Sequence, residues 1–169
     1  NMGKILRLND DGSTPADNPF VNYASKDALV DDESTYDQVW SLGHRNPLGL
    51  DFDLSGGLWV MEMGPAGGDE LNLVKRGANY GYPVVSDGNH YDGRLIPAHS
   101  TRSDLSAPAL TWTPVVSPAD LLIYKSERFV NWQGDALIAG LSARGIVRVN
   151  IAGEQAIEVE RYPMDARIR

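Results

Sequence analysis

The chain has 169 residues, with 23 acidic against 15 basic side chains, a formal net charge of -8 and no cysteine. That balance leaves no basic footprint for nucleic acid, and the missing cysteines exclude disulfides, zinc-thiolate sites and thiol nucleophiles. No apolar run approaches the roughly eighteen residues of a membrane-spanning helix, and the length suits one domain with its own core. No signal segment opens the chain, and Asn1 reads as a start within a longer protein.

In chain order, "KILRLN" alternates, with Leu6 and Leu8 on one face and Ile5, Arg7 and Asn9 on the other, which predicts a half-buried strand. The turn formers of "NDDGSTPADNP" end it. "STYDQVWS" is the one stretch that reads as a helical turn, with Ser34 as N-cap. "SLGHRNPLGLDFD" then crowds Gly43, His44, Arg45, Asn46 and Pro47 just before an apolar strand. "LGLDFD" and "GLWVMEM" flank "LSGG" and predict a hairpin. Residues 79–107 are polar and poor in strand signal, and so long a loop in a compact domain points to function. "ALTW", "DLLIYK", "DALIAGL", "GIVRVNI" and "AIEVERY" add short strands separated by turns. The class is therefore all-β: a sandwich, a barrel or a propeller.

Internal echoes favour the propeller. "GLDFDLSGGLWVME" and "DALIAGLSARGIVRVNI" each read as strand, turn, strand. "GKILRLNDDGS" and "GIVRVNIAGEQ" share two apolar residues, Arg, an apolar residue and Asn before a turn. A blade takes roughly 40–50 residues, so residues 1–169 are expected to form one incomplete propeller domain of about three or four four-stranded antiparallel blades.

Two acidic stretches invite a metal reading. "DFDLSGGLWVME" approaches the EF-hand loop, with Asp51, Asp53, Ser55, Gly56 at the sixth place and Glu62 at the twelfth. Its flanks alternate with period two, so the reading is turn acids on a hairpin. "EMGPAGGDELN" is different. Gly64, Pro65, Gly67 and Gly68 bend the chain so that carbonyls can converge, with Asp69 and Glu70 close by. Oxygen ligands of that kind suit Ca²⁺ rather than zinc or copper. An ordinary Gly-rich loop with solvated acids is the competing reading. No phosphate-binding Gly-rich motif and no nucleophile elbow is present.

"LGHRNPLGLDFD", "LWVMEMGPAGGDELNLVKRGANYGYP", "SPADLLIY" and the final "RIR", in this order, resemble the soluble aldose sugar dehydrogenases of the glucose/sorbosone dehydrogenase family. These are six-bladed propellers that use pyrroloquinoline quinone (PQQ) and Ca²⁺. The resemblance covers about the C-terminal half of a family domain. It implies that Arg45 lies against the quinone ring and Asn46 reaches its polar edge. A planar guanidinium suits that place, because it stacks on a ring and stabilises the charge of the reduced form. It implies that Gly64 and Pro65 offer carbonyls to the cofactor's Ca²⁺. It further implies that Asp69, Glu70 and Tyr80 help to build a second calcium site, and that Arg167 and Arg169 hold the cofactor's carboxylates. Trp112 matches an aromatic at the rim of the sugar site, with core packing as its other reading. His44 reads as a loop-fixing residue.

The sequence departs from the family at Ser142, where a cofactor lysine is usual, at Tyr82, where tryptophan is usual, and at Met63, where a more polar residue is usual. The family's general base falls on an earlier blade, so residues 1–169 alone are expected to be inactive. The resemblance implies oxidation of an aldose to a lactone with an external electron acceptor, in the periplasm or outside the cell. It also implies pairing with the rest of a propeller, or self-association. A non-catalytic propeller scaffold and a calcium-dependent lactone hydrolase remain the alternatives.

Overall fold

The computed structural model describes residues 2–21 and 36–169. Ten strands run through them: β1 (Lys4–Leu6), β2 (Val39–Leu42), β3 (Pro47–Phe52), β4 (Leu58–Glu62), β5 (Asp69–Val74), β6 (Leu110–Trp112), β7 (Pro118–Ile123), β8 (Ala136–Gly140), β9 (Gly145–Ala152) and β10 (Gln155–Pro163). They form two four-stranded antiparallel meanders, β3-β4-β5-β6 and β7-β8-β9-β10, and one two-stranded sheet, β1-β2. Two 3₁₀ turns, His99–Thr101 and Val130–Trp132, complete the elements.

The sheets stack in chain order. One face of β3–β6 presents Trp59, Met61, Leu71 and Trp112 to Val116, Leu121, Ile123, Ile138, Val147 and Val149 of the next meander, and this is the main core. The other face packs Val60 and Val74 on Ile5 of β1, with Trp40 of β2 and Leu58 against them. Apolar burial on both faces of one sheet is the arrangement of successive propeller blades. The inner strands β3 and β7 approach so closely that a Cβ on Gly49 would lie 2.4 Å from the Leu121 nitrogen. Asp51 closes that seam, accepting the Ile123 N–H at 2.8 Å and pairing with Lys125 Nζ at 2.8 Å.

Of the two faces of β1, the one carrying Ile5 is buried, packed on Val60 and Val74 of the next sheet, while Leu6 and Leu8 are exposed. Alternation runs unbroken through β1, and the register slip against β2 falls on the partner strand, at Trp40. One expectation is corrected. The helical turn over Ser34–Ser41 does not extend through its second half. Ser34 and Thr35 lie outside the described residues, and Val39, Trp40 and Ser41 belong to β2.

The EF-hand-like stretch is the β3–β4 hairpin. Asp53 Oδ1 accepts the N–H groups of Ser55 and Gly57 and the Ser55 hydroxyl, and its Oδ2 accepts the Trp59 indole N–H. These bonds hold its carboxyl near a pKa of about 2 against the opposing effect of burial. Asp53→Ala is expected to cost about 1–3 kcal/mol, read as a lower midpoint in urea. A midpoint within error of wild type would show that the turn holds without it.

Candidate functional site

Strand register decides what meets at one edge. Pro47, Glu62, Glu70 and Thr111 lie side by side across the first meander, and Pro118, Gly140, Gly145 and Pro163 across the second. Gly49 lies against Leu121 and Asp51 against Ile123, so β3 and β7 run the same way. The loops at residues 43–46, 63–68, 113–117, 141–144 and 164–169 therefore all open at the same edge. Arg45, Asn46, Gly64, Pro65, Arg167 and Arg169 share it. Arg45 and the Gly64–Pro65 bend are brought together at the inner end, whereas Arg167 and Arg169 follow the outermost strand β10. Both terminal arginines are exposed, and neither forms an ion pair or hydrogen bond among the described residues.

Arg45 is half-buried and held on several sides. Its Nη1 donates to the Met63 carbonyl at 2.9 Å and its Nη2 approaches the Tyr91 hydroxyl at 3.4 Å. The guanidinium carbon lies 5.8 Å from the ring centres of Tyr82 and of Tyr91, within cation–π range. Its Nε is buried without a partner. Asn46 beside it is exposed.

Below this loop lies a buried polar chain. His44 is 3 % exposed, Glu62 1 % and Ser41 0 %. Ser41 Oγ meets His44 Nε2 at 2.9 Å, His44 Nδ1 meets Glu62 Oε1 at 2.8 Å, and the imidazole stacks on Tyr80 at 4.6 Å. The order Ser–His–Glu is that of a hydrolytic triad, but its serine is sealed from any substrate. The structure thus gives His44 the loop-fixing place expected of it and gives no support to nucleophilic hydrolysis there.

The bend after β4 is built around Gly64 and Asp69. A Cβ on Gly64 would lie 2.2 Å from the Gly68 carbonyl oxygen, so only glycine fits. Asp69 accepts the Gly64 N–H at 2.9 Å through Oδ1 and the Ser117 N–H at 2.7 Å through Oδ2. Burial pushes its carboxyl pKa up despite those bonds. Asp69 thus clamps Gly64 of one blade to Ser117 before the next. Gly64 and Pro65 are buried, and no donor among the described residues is hydrogen-bonded to either carbonyl. Two adjacent carbonyls without donors among the described residues suit a hard cation.

Glu70 is buried beside Glu62, Asp87 and Asp69, and burial followed by the Glu62 charge raises its pKa to about 8. Asn72 donates to both Glu62 Oε1, at 2.8 Å, and Glu70 Oε2, at 3.2 Å. The Tyr80 hydroxyl donates to the Leu73 carbonyl and accepts the Lys75 N–H, and burial pushes its pKa to about 12. Only its backbone carbonyl is left as a ligand, and that oxygen accepts His99 Nε2 at 3.0 Å. His99 Nδ1 is buried without a hydrogen bond, 3.5 Å from Asp87 Oδ1. A groove of about 680 Å³ reaches Asp87, His99 and Thr111. Among the described residues no three His, Cys, Asp or Glu side chains form a metal-holding group.

Trp112 stands apart from the others. It lies on the outermost strand β6, is buried in the main core, and donates its indole N–H to Glu158 at 2.7 Å. This is the core-packing place that was its other reading. Ser142, where the lysine is missing, bonds the Val115 carbonyl and the Ser117 hydroxyl. The sequence reading did not single out Asn72, Asp87 or Tyr91 for a role, and it met Glu62 as the twelfth place of the EF-hand-like loop and as the first residue of "EMGPAGGDELN".

The family model for Glucose / Sorbosone dehydrogenase matches residues 1–169. The chain is 32 % identical over 169 residues to an aldose sugar dehydrogenase of Escherichia coli, covering 97 % of this chain and 43 % of that protein. It is 35 % identical over 140 residues to quinoprotein glucose dehydrogenase B of Acinetobacter calcoaceticus, covering 83 % of this chain and 26 % of that one. The solved apo-form of the E. coli enzyme superposes with a TM-score of 0.80 at 31 % identity, over 94 % of this chain and 44 % of that one. The PQQ-bound aldose sugar dehydrogenase of Streptomyces coelicolor superposes with a TM-score of 0.67 at 28 % identity, over 95 % and 39 % of the two chains. This chain thus spans less than half the length of each.

Proposed function

The chain belongs to the glucose/sorbosone dehydrogenase family, an all-β fold of four-stranded propeller blades, and from that premise we propose that it supplies part of the PQQ and Ca²⁺ site of a periplasmic aldose dehydrogenase. The observation that carries the reading is the pairing at one edge of Arg45, with an unpartnered Nε, and the donor-free carbonyls of Gly64 and Pro65. When bound, the quinone supplies a two-electron acceptor for the hydride of the sugar's anomeric carbon, so that an aldose leaves as its lactone. Arg45 offers a planar cation to the ring and stabilises negative charge built up beside it. Asn46, exposed next to it, offers an amide to the polar edge. Gly64 and Pro65 would hold the cation by main-chain oxygens. Arg167 and Arg169, unpaired among the described residues, would bind carboxylates.

Asp69, Glu70 and Tyr80 would share a second cation; all three already carry hydrogen bonds within the protein, and burial of the Glu70 carboxyl supports its part in the reading. By resemblance, the base that takes the sugar's hydroxyl proton lies outside residues 1–169. The remaining partners proposed are an external electron acceptor and the rest of a propeller or a second copy. The test is reconstitution of the protein as its source produces it. Adding PQQ with Ca²⁺ should restore dye-linked oxidation of aldoses, while either addition alone should not. Oxidation that is independent of both would sink the reading.

A further inference from the structure

We infer that Glu62 is the positioning residue of the Arg45–Asn46 pair; the inference rests on the cofactor reading above. One buried carboxylate holds three successive loop residues. Its Oε2 accepts the Arg45 N–H at 2.6 Å and the Asn46 N–H at 3.3 Å. Its Oε1 meets His44 Nδ1 at 2.8 Å and accepts Asn72 Nδ2 at 2.8 Å. Ser41 and the stacked Tyr80 ring fix the imidazole from the far side. Charge-assisted bonds to backbone N–H groups are short and directional, so the loop cannot slide along the end of β4.

The same strand end carries both halves of the site. Met63, next to Glu62, accepts Arg45 Nη1, and Gly64 and Pro65 follow directly. The main chain and the guanidinium of Arg45 are therefore both referenced to residues 62–63. Glu62 sets the distance between the stacking cation and the carbonyl pair, and it does so without touching the cofactor. Such precision matters because a displacement of about 1 Å at a reacting group can cost about 100-fold. Glutamine at this place keeps the shape but turns one acceptor into a donor. Whichever way the amide faces, at least one of the surrounding donors loses its acceptor.

The experiment titrates PQQ, with Ca²⁺ present, into the apo form of the protein as its source produces it. Binding is followed by tryptophan quenching and by the visible absorption of the bound quinone. Glu62→Gln should raise Kd by about 10- to 100-fold and move the bound spectrum toward that of Arg45→Ala. Glu62→Asp, which keeps the charge, should recover part of the loss. The double variant E62Q/R45A should lose less than the sum of the two single losses, because Glu62 acts in good part through Arg45. Thermal unfolding reports whether each variant is folded. If E62Q does not fold, His44→Gln, which frees the carboxylate from its ring, reads the same coupling. Wild-type Kd and spectrum in these variants, or losses that add in full to that of R45A, would overturn the role of Glu62 alone. A wild-type protein that takes up no PQQ would overturn the cofactor reading and this role with it.

Discussion

Arg45→Ala is expected to lower turnover of the reconstituted protein by about 10²–10³-fold and to weaken PQQ binding, with little change in thermal stability. The guanidinium touches the Met63 carbonyl and two tyrosines, one of them, Tyr91, mostly exposed, so its removal disturbs the loop surface more than the core. What is lost is a preorganised charge whose Nε has no partner among the described residues. Arg45→Lys separates charge from shape. An ammonium keeps the positive charge but not the flat face or the fork of donors, so it should restore only a small part of the loss. Steady-state kinetics against a dye acceptor, with the PQQ Kd from fluorescence, check both variants. Unchanged kcat and Kd in Arg45→Ala would make Arg45 a structural residue.

The strands were legible because their signals are local. Alternation over four to eight residues locates β3, β4 and β7 to β10, and the Gly-rich turns between them follow from composition. The propeller stacking followed from the echo of "ILRLN" in "IVRVN", but the echo misled on facing. Ile5 is buried where Ile146 is only half-buried, and Leu6 is exposed where Val147 is buried. The cause is the sheet each strand packs on: Ile5 meets Val60 and Val74 of the sheet that follows, whereas Val147 faces the main core, and neither neighbour is local in sequence. "VWS" read as helical because its neighbours carry a cap residue, yet pairing with β1 makes it a strand. Tertiary contact overrides so weak a local preference.

The site divides in the same way. The loop around Arg45 and the bend at Gly64–Pro65 are contiguous motifs, and both were visible as such. Their support is not contiguous. Glu62 meets His44 across 18 positions and Asp69 meets Ser117 across 48. Those pairs exist only once the meanders are in register. The clamp that Asp69 makes between blades was therefore not legible. Nor was the place of Trp112 on the edge strand β6, because a single position says nothing about which strand of a blade is outermost.

Glu70 should make the metal-free protein lose stability as pH rises. Burial, and secondly the nearby Glu62 charge, push its carboxyl up from an ordinary value of 4.5 to about 8 in the folded chain. Between those two values the folded state binds a proton that the unfolded state has released. Unfolding free energy then falls by about 1.4 kcal/mol per pH unit. The stabilisation is fully present below pH 4.5 and is lost as pH climbs through about 8, a total of order a few kcal/mol. Asp69, also raised by burial, tilts the curve the same way at its acidic end, and repulsion within a chain of net charge -8 adds a slope of its own. Glu70→Gln isolates the one group: it mimics the protonated form, so the difference between wild type and variant, in chelator, should be smallest below pH 4.5, widen in the variant's favour from there, and level off above about 8. Calcium reverses the sign. A cation beside Glu70 favours the carboxylate, so millimolar Ca²⁺ at alkaline pH should restore the wild type and leave the glutamine variant where it was. Urea midpoints from pH 5 to 9, with and without Ca²⁺, measure both effects. Parallel curves for the two proteins in chelator would mean that Glu70 ionises freely in the fold. A calcium response of equal size in both would place the cation elsewhere, at the Gly64–Pro65 carbonyls, and leave Glu70 as an acid kept neutral by burial.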